Sequence, residues 1–113
     1  MVDILMATYN GEAFLEEQVQ SIIAQSFTDW RLLIHDDGST DNTVNILRRL
    51  MQKDKRIQLL EDGISHMGVA RNFIHLVTCT SAPYCMFCDQ DDIWLPNKVE
   101  EMLSEIKQYS QDI

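Results

Sequence analysis

Three carboxylates fall within four residues at Asp89-Gln90-Asp91-Asp92, directly after Cys88 and the apolar run Tyr84-Cys85-Met86-Phe87. The apolar run reads as a buried strand, which puts the acidic cluster on the turn at its C-terminal end. Carboxylates this close repel one another unless a positive group lies among them. A hard divalent cation with oxygen ligands, Mg²⁺ or Mn²⁺, meets that demand. The plainer reading is an acidic surface turn in which Asp92 caps the following helix. Two further chemistries share parts of the pattern. The window from Asp89 to Glu100 carries Asp at its first and third positions and Glu at its last, as a calcium-binding loop does. Against it stand Ile93 among the ligand positions, Trp94 in place of the turn glycine, Pro96, and a preceding strand instead of a helix. Asp89-x-Asp91 after a strand also has the form of an aspartate nucleophile that takes up phosphate. Such a nucleophile normally follows the first strand of its domain, and here the strand is the fourth. A phosphatase or phosphotransferase and a calcium-binding module therefore stand as the alternatives.

Bulk properties narrow the field. The chain has 113 residues, 45% of them hydrophobic, and a formal net charge of −9, which suits one globular domain with a real core. There is no basic stripe, so nucleic acid is excluded as a partner. No apolar run reaches membrane-spanning length, and the first residues read as a strand, not as a signal peptide. A phosphorylated ligand approaching so acidic a surface needs a bridging cation or a local arginine. Cys79, Cys85 and Cys88 are an odd count without secretion signals, which implies reduced thiols and a cytoplasmic setting. Cys85-x-x-Cys88 has zinc-like spacing, but His66 and His75 lack ligand spacing of their own, and small residues packed in a strand explain the pair better.

Four strand–helix alternations must position the acidic turn. Strands are predicted over residues 2–7, 30–35, 57–60 and 84–88. The first helix carries Phe14, Leu15, Val19, Ile22 and Ile23 at helical spacing, with Asn10 as its N-cap. The second has Ser39 or Thr40 as N-cap and Val44, Leu47 and Met51 on one face. The third turns Val69, Phe73, Leu76 and Val77 inward. The fourth carries Val99, Met102, Leu103 and Ile106, with Pro96 in its first turn. The alternation implies a three-layer α/β domain around a parallel sheet, in the strand order 3-2-1-4. Ligands of such sheets sit beyond the carboxyl ends of the strands. Thr8-Tyr9-Asn10, Asp36-Asp37-Gly38-Ser39 and Asp89-Gln90-Asp91-Asp92 would then share one edge. No glycine-rich phosphate loop follows the first strand, and bulky Tyr9 stands where a dinucleotide fold needs glycine. Asp37 is placed to accept a hydrogen bond from a base or ribose. Arg71, early in the third helix, is the nearest cation for a phosphate oxygen.

The ordered set Met6-Ala7-Thr8-Tyr9-Asn10, Ser21-Ile22-Ile23-Ala24-Gln25-Ser26-Phe27, Ile34-His35-Asp36-Asp37-Gly38-Ser39-Thr40-Asp41-Asn42-Thr43, His66-Met67-Gly68-Val69-Ala70-Arg71-Asn72 and Asp89-Gln90-Asp91-Asp92-Ile93-Trp94-Leu95-Pro96 resembles the family 2 glycosyltransferases of the GT-A fold. It covers essentially the whole chain, and the last segment looks most like the rhamnosyltransferase-like branch. The resemblance implies an inverting enzyme that moves a sugar from a nucleoside-diphosphate donor to a saccharide or lipid-linked saccharide acceptor, in bacterial surface polysaccharide synthesis. It implies that Thr8, Tyr9 and Glu12 line the nucleotide pocket and that Asp37 contacts the base. Gly68 and Arg71 would lie along the nucleotide, Asp89 on the ribose side, and Gln90 against the nucleotide sugar. Asp91, with Asp89 beside it, would ligate Mn²⁺ or Mg²⁺ on the diphosphate, while Asp92 orients the turn. Inverting transfer needs a general base. In the family this is a carboxylate in the acceptor-binding half, well downstream of the D-x-D, and Asp3, Glu61 and Asp62 do not stand in for it. Residues 1–113 are thus expected to be the N-terminal nucleotide-sugar-binding part of a longer enzyme, inactive alone, with its base beyond Ile113. Cytoplasmic placement follows, at the inner face of a membrane if other parts anchor it.

Overall fold

The computed structural model describes residues 1–89 and 92–111. Its elements run β1 (Val2–Thr8), α1 (Glu12–Ile23), β2 (Trp30–Asp36), α2 (Thr43–Lys53), β3 (Ile57–Leu59), α3 (Val69–Cys79), β4 (Tyr84–Cys88) and α4 (Lys98–Gln111). The four strands form one sheet in the order β3-β2-β1-β4, every pairing parallel, as the alternation of elements predicts.

The order follows from handedness. Right-handed crossovers carry the chain from β1 to β2 to β3 with α1 and α2 on one face. The step from β3 back to β4 reverses direction and puts α3 on the other face. β1, in the middle, is buried at all seven positions, which is why it reads as a continuous apolar run instead of an alternating one. Its Val2, Ile4 and Met6 pack with Leu15, Val19 and Ile22 of α1, Leu47 and Leu50 of α2, and Val99 and Leu103 of α4. Leu5 and Ala7, pointing the opposite way, meet Leu33 and Leu76. Leu76 is the fully buried apolar residue of α3, so it anchors that helix to the sheet.

Several predicted core positions lie outside the core. Phe14 is exposed, as are Val69, Val77 and Met102. Apolar burial on these helices is confined to a narrow strip, Leu15, Val19 and Ile22 on α1 and Leu76 on α3. Polar residues fill part of the covered strip instead: Gln18 on α1 and Asn72 on α3 are both buried.

The predicted helix caps are also different. The N-caps are Gly11 for α1 and Asn42 for α2, neither with a side-chain cap bond. Asn10, in the left-handed region at φ 48°, aims its Oδ1 at the Thr40 N–H (2.8 Å), while its own N–H donates to Ser39 Oγ (2.8 Å). Gly11 N–H donates to Thr43 Oγ1 and Glu12 N–H to Asp41 Oδ2. The β1–α1 and β2–α2 turns therefore brace each other: Thr43 and Asp41 take up N–H groups at the start of α1, and Asn10 takes up those of Thr40 and Asp41 ahead of α2.

Candidate functional site

The register puts Thr8 opposite Asp36 and Met6 opposite Cys88, so the carboxyl ends of β1, β2 and β4 meet. The two aspartates that end β2 have different tasks. Asp36 is occupied by its own turn: Oδ1 accepts from Thr8 Oγ1 (2.7 Å) and Ser39 Oγ (2.6 Å), and Oδ2 from the N–H groups of Gly38 and Ser39. Asp37, one residue on, faces the α3 side. Its Oδ1 accepts from Met67 N–H (2.7 Å) and its Oδ2 from Gly68 N–H (2.9 Å). Its backbone N–H donates to Thr8 O. One carboxylate thus ties the loop before α3 to the end of β1. Gly68 has φ +82°, a conformation that L side chains rarely adopt, and this turns both amides toward Asp37.

Between these groups lies a cavity of about 180 Å³. β1 and its turn contribute Ala7, Thr8 and Tyr9. Asp37 and Asp89 come from the ends of β2 and β4, and Val69, Asn72 and Phe73 from α3. Four of the sequence-predicted residues, Thr8, Tyr9, Asp37 and Asp89, are therefore brought together. The volume is below the ~300–1,000 Å³ of sites that engulf a whole ligand, so it would take only part of one.

Other predicted residues stand apart from the cavity. Glu12 is exposed in the first turn of α1, where its N–H meets Asp41. Gly68 sits behind Asp37. Arg71 is exposed on α3, and among the described residues it is the arginine without a carboxylate partner; Arg31, Arg48, Arg49 and Arg56 each hold one. Gln90 and Asp91 lie outside the described residues. Asp92 faces away from β4's end: its Oδ2 accepts from Trp94 Nε1 (3.2 Å), with Lys98 Nζ at 3.7 Å.

The acidic turn is held from below by a residue that sequence reasoning missed. Gln18 Nε2 donates to the backbone O of Asp89 and to Cys88 Sγ (3.2 Å). Its signal was present, because a glutamine inside the Leu15–Val19–Ile22 stripe needs a buried partner. Asn72 carries the same signal one turn before Leu76. Asp89 O also accepts from Asp92 N–H, so the turn closes on itself. The Asp89 side chain is exposed and lines the cavity, and no described residue donates to its carboxylate. A hard oxygen donor with no partner among the described residues fits Mg²⁺ or Mn²⁺ at this spot. The cysteines do not form a metal site, since Cys85 is exposed and Cys88 buried on opposite sides of β4. Burial pushes the Cys88 thiol up to about 12.

The other acids considered as a base are engaged elsewhere. Asp3 is buried at the amino end of β1, where Arg31 Nε and Nη2 bond its two oxygens at 3.0 and 2.5 Å. Glu61 pairs with Arg48, and Asp62 with two histidines.

Comparison with known proteins agrees with this geometry. The chain is 40% identical over 102 residues to the dTDP-rhamnosyl transferase RfbG of Shigella flexneri, covering 87% of this chain and 35% of that protein. It is 35% identical over 104 residues to the UDP-Glc:alpha-D-GlcNAc-diphosphoundecaprenol beta-1,3-glucosyltransferase WfgD of Escherichia coli, covering 92% of this chain and 40% of that one. The chain thus spans well under half the length of these relatives. Among solved structures, TarS of S. aureus in complex with UDP superposes with a TM-score of 0.83 at 19% identity, over 95% of this chain and 32% of TarS. The mannosyltransferase PcManGT of Pyrobaculum calidifontis, solved with GDP-Man and Mn²⁺, gives 0.75 at 23% identity, over 82% of this chain and 28% of its own. Both share the GT-A arrangement of strands and helices seen here. The pattern described as Glycosyl transferase family 2 matches residues 3–113, and the chain belongs to that family.

Proposed function

We propose that this chain is the donor-binding part of an inverting glycosyltransferase of bacterial surface polysaccharide synthesis, taking its sugar from a nucleoside-diphosphate donor. The observation that carries this reading is the meeting of Thr8, Tyr9, Asp37 and Asp89 around one cavity at the carboxyl edge of the sheet. Tyr9 offers an aromatic face to a base, and Asp37 offers a fixed, buried carboxylate beside it. Arg71, exposed on α3 and unpaired with any described carboxylate, is the cation available to a phosphate. Asp89 and Asp91 would hold Mn²⁺ or Mg²⁺, which supplies charge neutralisation for the departing diphosphate. The general base and the acceptor site belong, in this reading, to a part of the protein outside residues 1–113, and so does any attachment to the cytoplasmic face of a membrane. The isolated chain then binds nucleotide without transferring sugar.

The donors in the names of the two relatives, a dTDP-linked and a UDP-linked sugar, choose the probes. UDP and dTDP are titrated calorimetrically into the chain with Mn²⁺ and with chelator. Binding is expected only with the cation, because at ~4 Å an unshielded like-charge pair costs on the order of 4 kcal/mol at intermediate dielectric. Asp91→Asn should abolish the cation-dependent part, and Asp92→Asn should leave most of it. Equal affinity in Mn²⁺ and chelator would reduce the acidic turn to a surface feature.

A further inference from the structure

Behind the donor cavity, on the α3 side of the sheet, three side chains converge that donor binding does not use. His35 comes from the end of β2, Asp62 from the loop after β3, and His75 from the middle of α3. One ligating atom from each lies within 4.8 Å of the others. His35 Nε2 is 3.0 Å from Asp62 Oδ1 and His75 Nε2 is 2.6 Å from Asp62 Oδ2. The two rings meet edge to face, 4.8 Å apart at their centroids. The His35 side chain is 1% exposed, that of His75 20% and that of Asp62 32%, so the group is buried at one end and open to water at the other.

The hydrogen bonds around His35 decide which nitrogen points inward. Asn72 Nδ2 donates to the backbone O of His35 (3.0 Å), which fixes the orientation of the amide. Asn72 Oδ1 then lies 2.8 Å from His35 Nδ1 and can only accept. Nδ1 therefore carries hydrogen, and in the neutral ring the Nε2 lone pair points at Asp62. A lone pair 3.0 Å from a carboxylate oxygen is repulsive unless something positive sits between them. Asp62 is itself held in place by the Ile64 N–H, which donates to Oδ1 at 3.0 Å. An imidazole whose far N–H is held by an amide oxygen, facing a fixed carboxylate and a second imidazole, is how proteins present histidine to a metal.

We propose that His35, Asp62 and His75 form a binding site for a divalent first-row transition cation of Zn²⁺ type, completed by water on its open side. Two imidazoles and one carboxylate suit such a cation better than the Mg²⁺ or Mn²⁺ of the donor site. Bonds of about 2.0–2.1 Å place tetrahedral ligands about 3.3 Å apart, close to the His35–Asp62 separation; on binding, the His75–Asp62 contact opens by about 0.7 Å as the cation replaces a shared proton, and the ligating atoms, spread over up to 4.8 Å, draw in around it. The site would link β2, the β3–α3 loop and α3, and it does not depend on the donor reading.

The test is a Zn²⁺ titration of the chain without nucleotide, in a Cys79→Ser, Cys85→Ser background, because those exposed thiols would also take zinc. One equivalent of Zn²⁺ should bind and raise the melting temperature. His75→Gln and Asp62→Asn should each weaken binding at least tenfold and remove the thermal shift, while Asp89→Asn should not change the zinc titration. Co²⁺ in the unmutated site should show the visible bands of a mixed nitrogen–oxygen ligand set, a readout that does not rely on any variant folding. Absence of saturable zinc binding would overturn the proposal and leave the triad joined by protons alone. Binding that survives both His75→Gln and Asp62→Asn, or that is lost in Asp89→Asn, would overturn it as well.

Discussion

Asp37→Asn tests whether the cavity at the carboxyl edge of the sheet is held open by one carboxylate. Asp37 is 8% exposed and receives two backbone N–H groups, from Met67 at 2.7 Å and Gly68 at 2.9 Å. Hydrogen bonds to a charged acceptor contribute about 1.5–3 kcal/mol each. Asparagine retains one acceptor oxygen and turns an NH₂ group toward the other amide, so at least one bond is lost, for about 2–3 kcal/mol. Residues 61–66 are exposed, and Met67 is the half-buried exception before Gly68. The segment can therefore detach while the sheet stays folded, and the loss should appear locally. Amide hydrogen exchange reads it directly. Protection at Met67 and Gly68 should fall about 30- to 150-fold, the equivalent of that energy, while the β1 amides change little. UDP or dTDP affinity should fall at least tenfold, since Asp37 lines the cavity. Asp36→Asn is the control, because its carboxylate serves Gly38 and Ser39 and should alter those amides instead. Unchanged exchange at Met67 and Gly68 in Asp37→Asn would refute the clamp.

Gln18→Leu removes the donor to the Asp89 carbonyl but keeps the volume under the acidic turn; nucleotide affinity in a Mn²⁺ titration should drop several-fold with the melting temperature nearly unchanged. Gly38→Ala and Gly63→Ala both place a side chain at positive φ, at a cost of about 1 kcal/mol. Only at Gly38 does the new Cβ also meet the His66 ring, at 3.1 Å, so urea denaturation should show the larger loss there; equal losses would mean that the ring simply moves aside. Stability should also fall in acid. Asp3, buried but bonded by Arg31 and Thr80, Asp54, bonded by Arg56, and Asp62 all bind protons less readily folded than unfolded. Their contribution is fully present above the ordinary carboxylate range near pH 4 and is lost as pH falls through it, which urea midpoints at pH 7, 5, 4 and 3 would follow. A flat profile would contradict these pairings.

Strand order and the shared carboxyl edge were legible in the sequence because both follow from local facts. Four apolar runs alternate with four helical stripes, and handedness leaves few ways to connect them. The caps were not legible. Asn10, Ser39, Asp41 and Thr43 are all good turn residues, and read along the chain each belongs to its nearest helix. In space they pair across about thirty positions, and no one-dimensional pattern reveals which turn serves which. Adjacent Asp36 and Asp37 were separable only through strand parity, which turns one toward the β2–α2 turn and the other toward α3. The His35–Asp62–His75 group was hidden for a different reason. Its members come from three elements with no ligand spacing, and His75 invited comparison with the nearby cysteines, which the fold points elsewhere.

The charges bear on how an acidic chain would serve the anionic donor proposed for it. The excess of carboxylates is offset locally wherever the fold can manage it. Arg31 lies on Asp3, Arg48 on Glu61, Arg49 on Glu16, Arg56 on Asp54, and Lys98 near Asp92. These pairs take positive charge away from the far field, so a net −9 surface offers a diphosphate little general attraction. Binding then depends on what is concentrated at one edge of the sheet: an arginine, Arg71, left out of the described pairings, and a carboxylate, Asp89, with no described donor. Asp89 lines the cavity and Arg71 is exposed on α3, the helix that forms part of its wall; opposite charges not joined to each other suit a ligand that carries an anion and a cation together. That is the charge pattern of a metal–diphosphate complex. On this argument, removing the cation should cost more affinity than removing any single side chain that touches the base.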